Sequence, residues 1–124
     1  MMRQNPSVLI IDDEPDICFL LGSMLKRKNI ETAFANTLSE GFEKLRELKP
    51  DLLFLDLNLT DGSGLDAIPR IKKEFPATKI IIISAYDGSK ERHTAEEAGA
   101  SFFIGKPFDR KKVFGALDKV LESV

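Results

Sequence analysis

Short apolar runs alternate along the chain with longer segments in which apolar residues recur every three or four positions. Unbroken apolar runs predict strands that are buried on both faces, and the three-to-four spacing predicts amphipathic helices. The second run is less apolar than the others, which favours a position at the edge of a sheet. The five predicted strands span residues 8–11, 31–35, 52–55, 80–83 and 102–104.

Each of the five strands is followed by a predicted helix, and capping residues and helix breakers mark the ends of several of these helices. Pro15 stands where a first helical turn tolerates proline, and Thr37 with Glu40 forms the pattern of a capping box. Gly99 ends a polar helix predicted over residues 90–98. The third helix follows the loop 61–64, and Pro69 lies in or just beyond its first turn, so that its first residue stays open.

Strict alternation of strands and helices predicts an α/β fold with a parallel sheet. Parallel neighbours need crossover connections, and five βα units place helices on both faces of such a sheet. In open α/β sheets ligands bind beyond the carboxyl ends of the strands. The residues that directly follow each strand are therefore the first candidates for a functional site.

Size and composition limit the class of protein. The chain has 124 residues, 43% of them hydrophobic, and a formal net charge of -2, which favours one domain and gives no electrostatic footprint for nucleic acid. No apolar run approaches the length of a membrane span, and the first residues lack the apolar core of a signal peptide. We therefore expect a cytoplasmic protein that binds neither membrane nor nucleic acid. The lone Cys18 cannot form an internal disulfide.

Reactive polar residues follow four of the five predicted strands. These residues are Asp12 and Asp13, then Asp56, Ser84 and Lys106. Carboxylates brought to one edge of a sheet repel one another unless a cation neutralises them, and an all-oxygen set suits Mg²⁺. A lysine binds phosphate well and a hydroxyl donates a hydrogen bond. The combination predicts phosphoryl transfer in which a carboxylate is the nucleophile.

With these motifs the chain resembles the receiver domain of two-component response regulators, over about residues 7–124. The matching segments cover residues 8–15, 53–59, 82–85 and 99–108. The resemblance implies a flavodoxin-like, doubly wound (βα)₅ fold with strand order 2-1-3-4-5. It also implies that residues 1–124 form a single receiver domain with a core of about 7–123.

The resemblance assigns a role to each matching residue. Asp56 would accept a phosphoryl group from a sensor histidine kinase or a phosphotransfer protein. Mg²⁺ would be bound directly by Asp13, mainly through water by Asp12, and by Asp56 and the backbone carbonyl of Asn58. Lys106 would pair with Asp56 before the reaction and with the phosphoryl group after it.

A conformational switch is also implied. Ser84 would move to bind a phosphoryl oxygen, and Phe103 would rotate into the space that this movement opens. The Lys106–Pro107 peptide bond would be cis. The switched face would lie on the fourth helix, fifth strand and fifth helix, and it would act on a downstream effector domain or partner protein, or on a second copy in a phosphorylation-dependent homodimer.

Three positions near the acceptor bear on the lifetime of the phosphoryl group. Thr60 stands where the family often has proline, which predicts a less rigid loop. Asn58 and Tyr86 occupy positions that modulate this lifetime in the family. A bulky Tyr86 would shield the acyl phosphate from water, so we expect slower self-dephosphorylation than in Tyr86→Ala, measured as decay of the phosphorylated form. Equal decay rates would dismiss this expectation.

Two other functions compete with the receiver interpretation. An aspartate-dependent phosphatase of the haloacid-dehalogenase type needs a second aspartate two positions after the nucleophile, and Asn58 cannot transfer a proton. A degenerate receiver would only bind partners, which the complete set of strand-end residues argues against. The receiver would promote its own phosphorylation and dephosphorylation without being a conventional turnover enzyme. Cys18 is one position from the apolar stripe of the first helix and is interpreted as a partly buried, unreactive filler. His93 is on a polar helix without a second histidine or cysteine nearby, so no metal role is expected for it.

Overall fold

A computed structural model describes residues 6–85 and 88–122 of the chain and contains five helices and seven strands within them. The strands are β1 (Val8–Ile11), β2 (Thr32–Ala35), β3 (Leu52–Asp56), β4 (Asn58–Leu59), β5 (Gly62–Ser63), β6 (Lys79–Ser84) and β7 (Phe102–Gly105). The helices are α1 (Pro15–Lys26), α2 (Leu38–Leu48), α3 (Gly64–Glu74), α4 (Ser89–Ala98) and α5 (Arg110–Glu122).

The five long strands form one parallel sheet in the order β2-β1-β3-β6-β7. Counted along the five core strands, this is the predicted order 2-1-3-4-5, so the fold prediction is confirmed. The less apolar β2 lies at one edge of the sheet, as its composition predicts, and β7 lies at the other edge.

Alternate residues of the sheet enter two separate apolar cores. Ile10 and Phe54 belong to the core that α1 and α5 cover, whereas Leu9 and Leu53 belong to the core beneath α2, α3 and α4. Successive side chains of a strand point to opposite faces, and helices on both faces explain why these strands are apolar at every position. The sheet is thus held rigidly from both sides, with its carboxyl edge left open for polar side chains.

The starts of α2 and α3 are set by hydroxyl caps. Thr37 Oγ1 accepts a hydrogen bond from the Glu40 amide at 3.1 Å, as the capping box predicts, and Ser63 Oγ accepts one from the Asp66 amide at 3.3 Å. The cap at Ser63 settles the open start of α3, which begins at Gly64. Pro69 therefore lies inside the helix, beyond its first turn, and costs it one backbone hydrogen bond.

A short antiparallel hairpin, β4 with β5, follows β3 and was not predicted. Its turn carries Asp61, whose two carboxylate oxygens accept hydrogen bonds from the amides of Leu38 at 2.8 Å and Ser39 at 3.0 Å. These amides are in the first turn of α2 and have no acceptor within the helix. The loop after β3 is therefore anchored to α2 by Asp61, although it lacks a proline at Thr60.

Removing the Asp61 carboxylate is expected to loosen this anchor. The two amides lower the pKa of Asp61, so its stabilising effect is full above the unfolded pKa and disappears as the pH falls through the lower folded pKa. We expect Asp61→Asn to lower the Tm by a few degrees at pH 7, measured by circular dichroism. The difference in Tm between the variant and the wild type should become smaller in acid. An unchanged Tm at pH 7 would show that Asp61 does not anchor the loop.

Candidate functional site

The carboxyl ends of four strands bring the predicted reactive residues to one edge of the sheet. Asp12 follows β1, Asp56 ends β3, Ser84 ends β6 and Lys106 follows β7. Asp12 and Ser84 are fully buried and Asp56 is nearly so. Parallel register explains the convergence, because strands that run side by side end at the same edge.

The ammonium group of Lys106 lies among three carboxylates. Its Nζ atom is 3.0 Å from Asp12 Oδ2, 3.0 Å from Glu14 Oε1 and 3.6 Å from Asp56 Oδ2. The Lys106 side chain is 12% exposed and that of Glu14 is 61% exposed. Lys106 thus pairs with the two buried carboxylates and also donates a hydrogen bond to the exposed carboxylate of Glu14.

Burial makes the two innermost carboxylates harder to ionise. Burial and then the charge of Asp12 raise the pKa of Asp56 to about 6, despite the attraction of Lys106. Burial likewise raises the pKa of Asp12, even though Asp12 accepts a hydrogen bond from the Glu14 amide. Burial lowers the pKa of Lys106, but its close contacts with the Asp12 and Glu14 carboxylates outweigh this effect and raise the pKa overall. One lysine therefore offsets only part of the negative charge.

The donor atoms at this edge fit a hard divalent cation. Asp12, Asp13, Glu14 and Asp56 each offer a carboxylate oxygen, and these oxygens lie within 4.8 Å of one another. Asp12 Oδ2 is buried and accepts no hydrogen bond from the described residues, although the Lys106 charge is close to it. All-oxygen ligands and excess negative charge are what Mg²⁺ requires. The residues therefore fit Mg²⁺.

Backbone amides connect four of the candidate residues in two pairs. The Lys106 amide donates a hydrogen bond to the Ser84 carbonyl at 2.8 Å, so β6 sets where Lys106 leaves the sheet. The Lys106–Pro107 peptide bond is cis. Asn58, the first residue of the hairpin, donates its amide to Asp56 Oδ1 at 3.4 Å. Asn58 is thus beside Asp56.

Phe103 lies in β7 beneath a side chain of α4. Its ring is largely buried, and the guanidinium carbon of Arg92 lies 4.8 Å from the ring centre, which is a cation–π distance. Phe103 follows the strand direction towards Lys106 and borders α4, so it can connect the strand ends to that helix. The predicted modulator Tyr86 lies outside the described residues.

Sequence reasoning missed two residues of the site. Glu14 is the third acid in a row, yet its contact with Lys106 depends on how α1 leaves β1. Gly64 lies against the backbone of Asp56 and Leu57: an added Cβ would be 3.0 Å from the Leu57 Cα and closer still to the Asp56 carbonyl oxygen. Only the structure shows that this position leaves no room for a side chain.

Three further residues, Asp13, Cys18 and His93, are placed as follows. Asp13 does not cap α1, because Glu14 is the residue at the N-cap and it makes no side-chain cap bond. Cys18 is buried, and burial raises the pKa of its thiol to about 11, which leaves it unreactive at neutral pH. His93 pairs with Glu97 on the exposed face of α4.

Comparisons with known proteins agree with this arrangement. Residues 8–118 match the family model of the response regulator receiver domain. The chain is 39% identical over 114 residues to the chemotaxis protein CheY of Thermotoga maritima, which covers 91% of this chain and 95% of that protein. It is 40% identical over 109 residues to the response regulator protein PilR of Pseudomonas aeruginosa, covering 88% of this chain but only 24% of PilR.

A solved structure shows the same fold. The beryllofluoride-activated NtrC4 receiver domain dimer superposes with a TM-score of 0.87 at 28% identity, over 95% of this chain and 98% of that one. The chain thus spans nearly all of CheY and about a quarter of PilR. Within the described residues, no helix is both long and apolar enough to cross a membrane.

Proposed function

The chain belongs to the response regulator receiver domain family, and on this basis we propose that Asp56 accepts a phosphoryl group and thereby switches the state of the domain. The observation that carries the proposal is the buried carboxylate of Asp56, 3.6 Å from the Lys106 ammonium and within an acidic cluster. A family of this kind is regulatory rather than a class of conventional enzymes. The whole of residues 1–124 would act as one receiver domain.

In the proposed reaction a carboxylate oxygen of Asp56 bonds to phosphorus as the bond between phosphorus and the donor nitrogen or oxygen breaks. The leaving group takes the bonding electrons and the product is an acyl phosphate. A pKa of about 6 leaves Asp56 mostly ionised at neutral pH, as a nucleophile requires. Lys106 would exchange its contact with Asp56 for one with a phosphoryl oxygen.

Mg²⁺ would be held by Asp12, Asp13 and Asp56, with the backbone carbonyl of Asn58 as a further ligand. When bound, it supplies the positive charge that lets carboxylates and phosphoryl oxygens lie together. The geometry of the carboxylates supports this role, because their oxygens already converge within 4.8 Å. Glu14 is the fourth acid of that cluster, and its exposed side chain is free to leave Lys106 when the charges at the site change.

The proposed switch uses Ser84 and Phe103. Ser84 would donate a hydrogen bond to a phosphoryl oxygen, an interaction available only once Asp56 is phosphorylated. Phe103 would respond to the movement of Ser84, and the cation–π contact with Arg92 would pass the change to α4. The position of Ser84 supports the model, because it is buried at the end of β6 and its carbonyl accepts a hydrogen bond from the Lys106 amide.

Partners follow from the same proposal. A sensor histidine kinase or a phosphotransfer protein would be the donor, in the cytoplasm. An effector domain or a partner protein would respond to the switched face. A phosphorylation-dependent homodimer would be a further outcome, and the NtrC4 relative is described as a dimer in its activated form.

The direct test is phosphorylation by a small phosphodonor. Incubation with acetyl phosphate and Mg²⁺ is expected to add one phosphoryl group to the wild type, detected by intact-mass spectrometry, because the site supplies the nucleophile and the compensating charge. Asp56→Ala should remain unmodified. The matched control is Asp66→Asn, which removes an exposed aspartate of α3 and should behave as the wild type.

Each alternative has its own result in this test. Stoichiometric labelling that survives Asp56→Ala would reject Asp56 as the acceptor. Continuous release of phosphate without a stable adduct would indicate a phosphatase. No adduct under any condition, in protein that is folded by circular dichroism, would indicate a degenerate receiver. Chelation of Mg²⁺ is expected to abolish labelling of the wild type.

A further inference from the structure

Four large hydrophobic side chains are exposed among the residues that the structure describes, and three of them belong to one surface. These three are Phe19 at 77% exposure and Leu20 at 43%, both on α1, and Phe34 at 53% on β2. The fourth, Leu48 at 39%, is the last residue of α2. Single exposed apolar residues are normal on a protein, whereas a group with two phenylalanines indicates a contact surface.

Phe34 lies beside the exposed part of α1. It pairs with Ile10, which points into the core that α1 and α5 cover, so Phe34 is on the α1 side of β2. On this side a Cβ added to Gly22 would be 3.1 Å from Thr32 Oγ1. Because the crossover helix α1 runs back along the sheet, Phe34, two residues after Thr32, is level with Phe19, three residues before Gly22.

The exposed face of α1 continues this surface along the helix. Its exposed residues recur every three or four positions, so they form a single stripe. They are Asp16, Phe19, Leu20, Ser23 and Lys26, followed by Arg27 at the C-cap. The stripe is acidic in its first turn, apolar in its middle and basic at its end.

This order of charges is complementary to itself in one orientation. In a two-fold symmetric pair with antiparallel helices, Asp16 of each copy is opposite Lys26 and Arg27 of the other. The apolar middle of each stripe then faces Ser23, whose small side chain leaves room for a larger one. Parallel helices would place Asp16 against Asp16 and Lys26 against Lys26, which is unfavourable. None of these three charged side chains is in a salt bridge with another described residue.

We propose that α1 packs antiparallel on α1 of a second copy of this chain and forms a symmetric homodimer, with Phe34 of each copy at the side of the helix pair. β2 is at one edge of the sheet and β7 is at the other, so this surface is separate from the face that phosphorylation is proposed to switch. The inference rests on α1 and β2 and holds whether or not Asp56 accepts a phosphoryl group.

The size of the surface limits the strength of the dimer. α1 has 12 residues, and a helix of this length extends over about 18 Å. Two such helices with Phe34 beside them bury less area than a permanent dimer does, so we expect a Kd on the order of 10–100 µM.

The test is the oligomeric state of the whole chain without a phosphodonor, measured by sedimentation equilibrium over concentrations that span this Kd. Phe19→Ser removes the most exposed of the large apolar side chains, and Leu48→Ser is the matched control outside the surface. We expect Phe19→Ser to raise the Kd on the order of tenfold or more and Leu48→Ser to leave it within about twofold. Circular dichroism checks that each variant is folded.

Charge reversal tests the antiparallel orientation. Asp16→Lys places a lysine against Lys26 of the other copy, and Lys26→Asp places an aspartate against Asp16. Each variant alone should therefore dimerise on the order of tenfold more weakly than the wild type. An equimolar mixture of the two variants should regain the dimer, because lysine then faces aspartate at both ends of the helix pair. Asp56→Ala should dimerise like the wild type.

Three outcomes would overturn the proposal: folded protein that stays monomeric over the whole range, a dimer that Phe19→Ser leaves unchanged, and a mixture of the charge variants that associates no better than either alone. A monomer whose α1 stripe binds a synthetic amphipathic helix would assign the surface to another partner and likewise reject the homodimer. Labelling of Asp56 by acetyl phosphate in a chain that stays monomeric would reject this inference alone. A dimer that acetyl phosphate cannot label would reject only the proposed function.

Discussion

Replacing Gly64 with alanine is expected to reduce the free energy of unfolding by about 3 kcal/mol or more. An added Cβ would be 3.0 Å from the Leu57 Cα and closer still to the Asp56 carbonyl oxygen, so backbone rather than a flexible side chain would have to move. The Gly64 amide donates a hydrogen bond of 2.8 Å to the Leu57 carbonyl, which keeps these two backbone segments close together. Because the strained atoms belong to the proposed acceptor, labelling by acetyl phosphate should fall together with stability.

The same substitution elsewhere in the chain supplies the control. Gly115 lies inside α5 with open space around its missing side chain, and Gly115→Ala is expected to raise stability by about 0.5–1 kcal/mol because alanine is the better helix former. Urea unfolding at equilibrium measures both variants. A Gly64→Ala protein as stable as the wild type would show that the loop after β3 shifts freely, which would also question its role in positioning Asp56.

The centre of the site could be predicted because the topology is encoded by the hydrophobic pattern. Once five apolar strands are parallel, Asp12, Asp56, Ser84 and Lys106 must share one edge, whatever separates them in sequence. Burial and the short distances to Lys106 follow from that constraint. No detail of side-chain packing is needed for this part of the argument.

Contacts that depend on loop and helix geometry could not be predicted in this way. Glu14 reaches Lys106 only because it is the N-cap residue directly before α1, and no sequence pattern distinguishes such a glutamate from one that contacts only solvent. Asp61 reaches the start of α2 from a hairpin only two residues long on each strand. Such contacts join segments whose relative positions cannot be predicted from the spacing of hydrophobic residues.

Although the net charge is only -2, the protein has two regions of opposite local charge. The carboxylates of Asp12, Asp13, Glu14 and Asp56 meet one lysine at the carboxyl edge of the sheet, while four cations line a groove beside β7, between α4 and α5. Phe103 and Arg92 border the groove, and Phe103 is in the strand that leads to Lys106, so a change at one place has a short route to the other.

Replacing Asp56 with asparagine should stabilise the protein at pH 7 when Mg²⁺ is absent. The pKa of Asp56 rises from 3.8 to about 6 on folding, because burial and then Asp12 disfavour its charged form. Between these values the folded state binds more protons than the unfolded state, so stability falls as the pH increases and the full penalty is present above pH 6. A shift of about two units sets an upper limit of about 3 kcal/mol, in which the attraction of Lys106 is already included, and the cost of burying the asparagine amide reduces the expected gain to about 1–2 kcal/mol.

Thermal and urea unfolding of both proteins between pH 4 and pH 8, with a chelator present, would measure this effect. The wild type should lose stability towards pH 6 relative to Asp56→Asn, and a weaker dependence should remain in the variant because burial also raises the pKa of Asp12. Added Mg²⁺ should stabilise the wild type strongly and the variant less. A ligand that binds only the folded state stabilises that state more when it binds more tightly. A variant that is less stable than the wild type throughout this range would mean that Lys106 already compensates the buried carboxylates, and the charge argument for a cation at this site would fail.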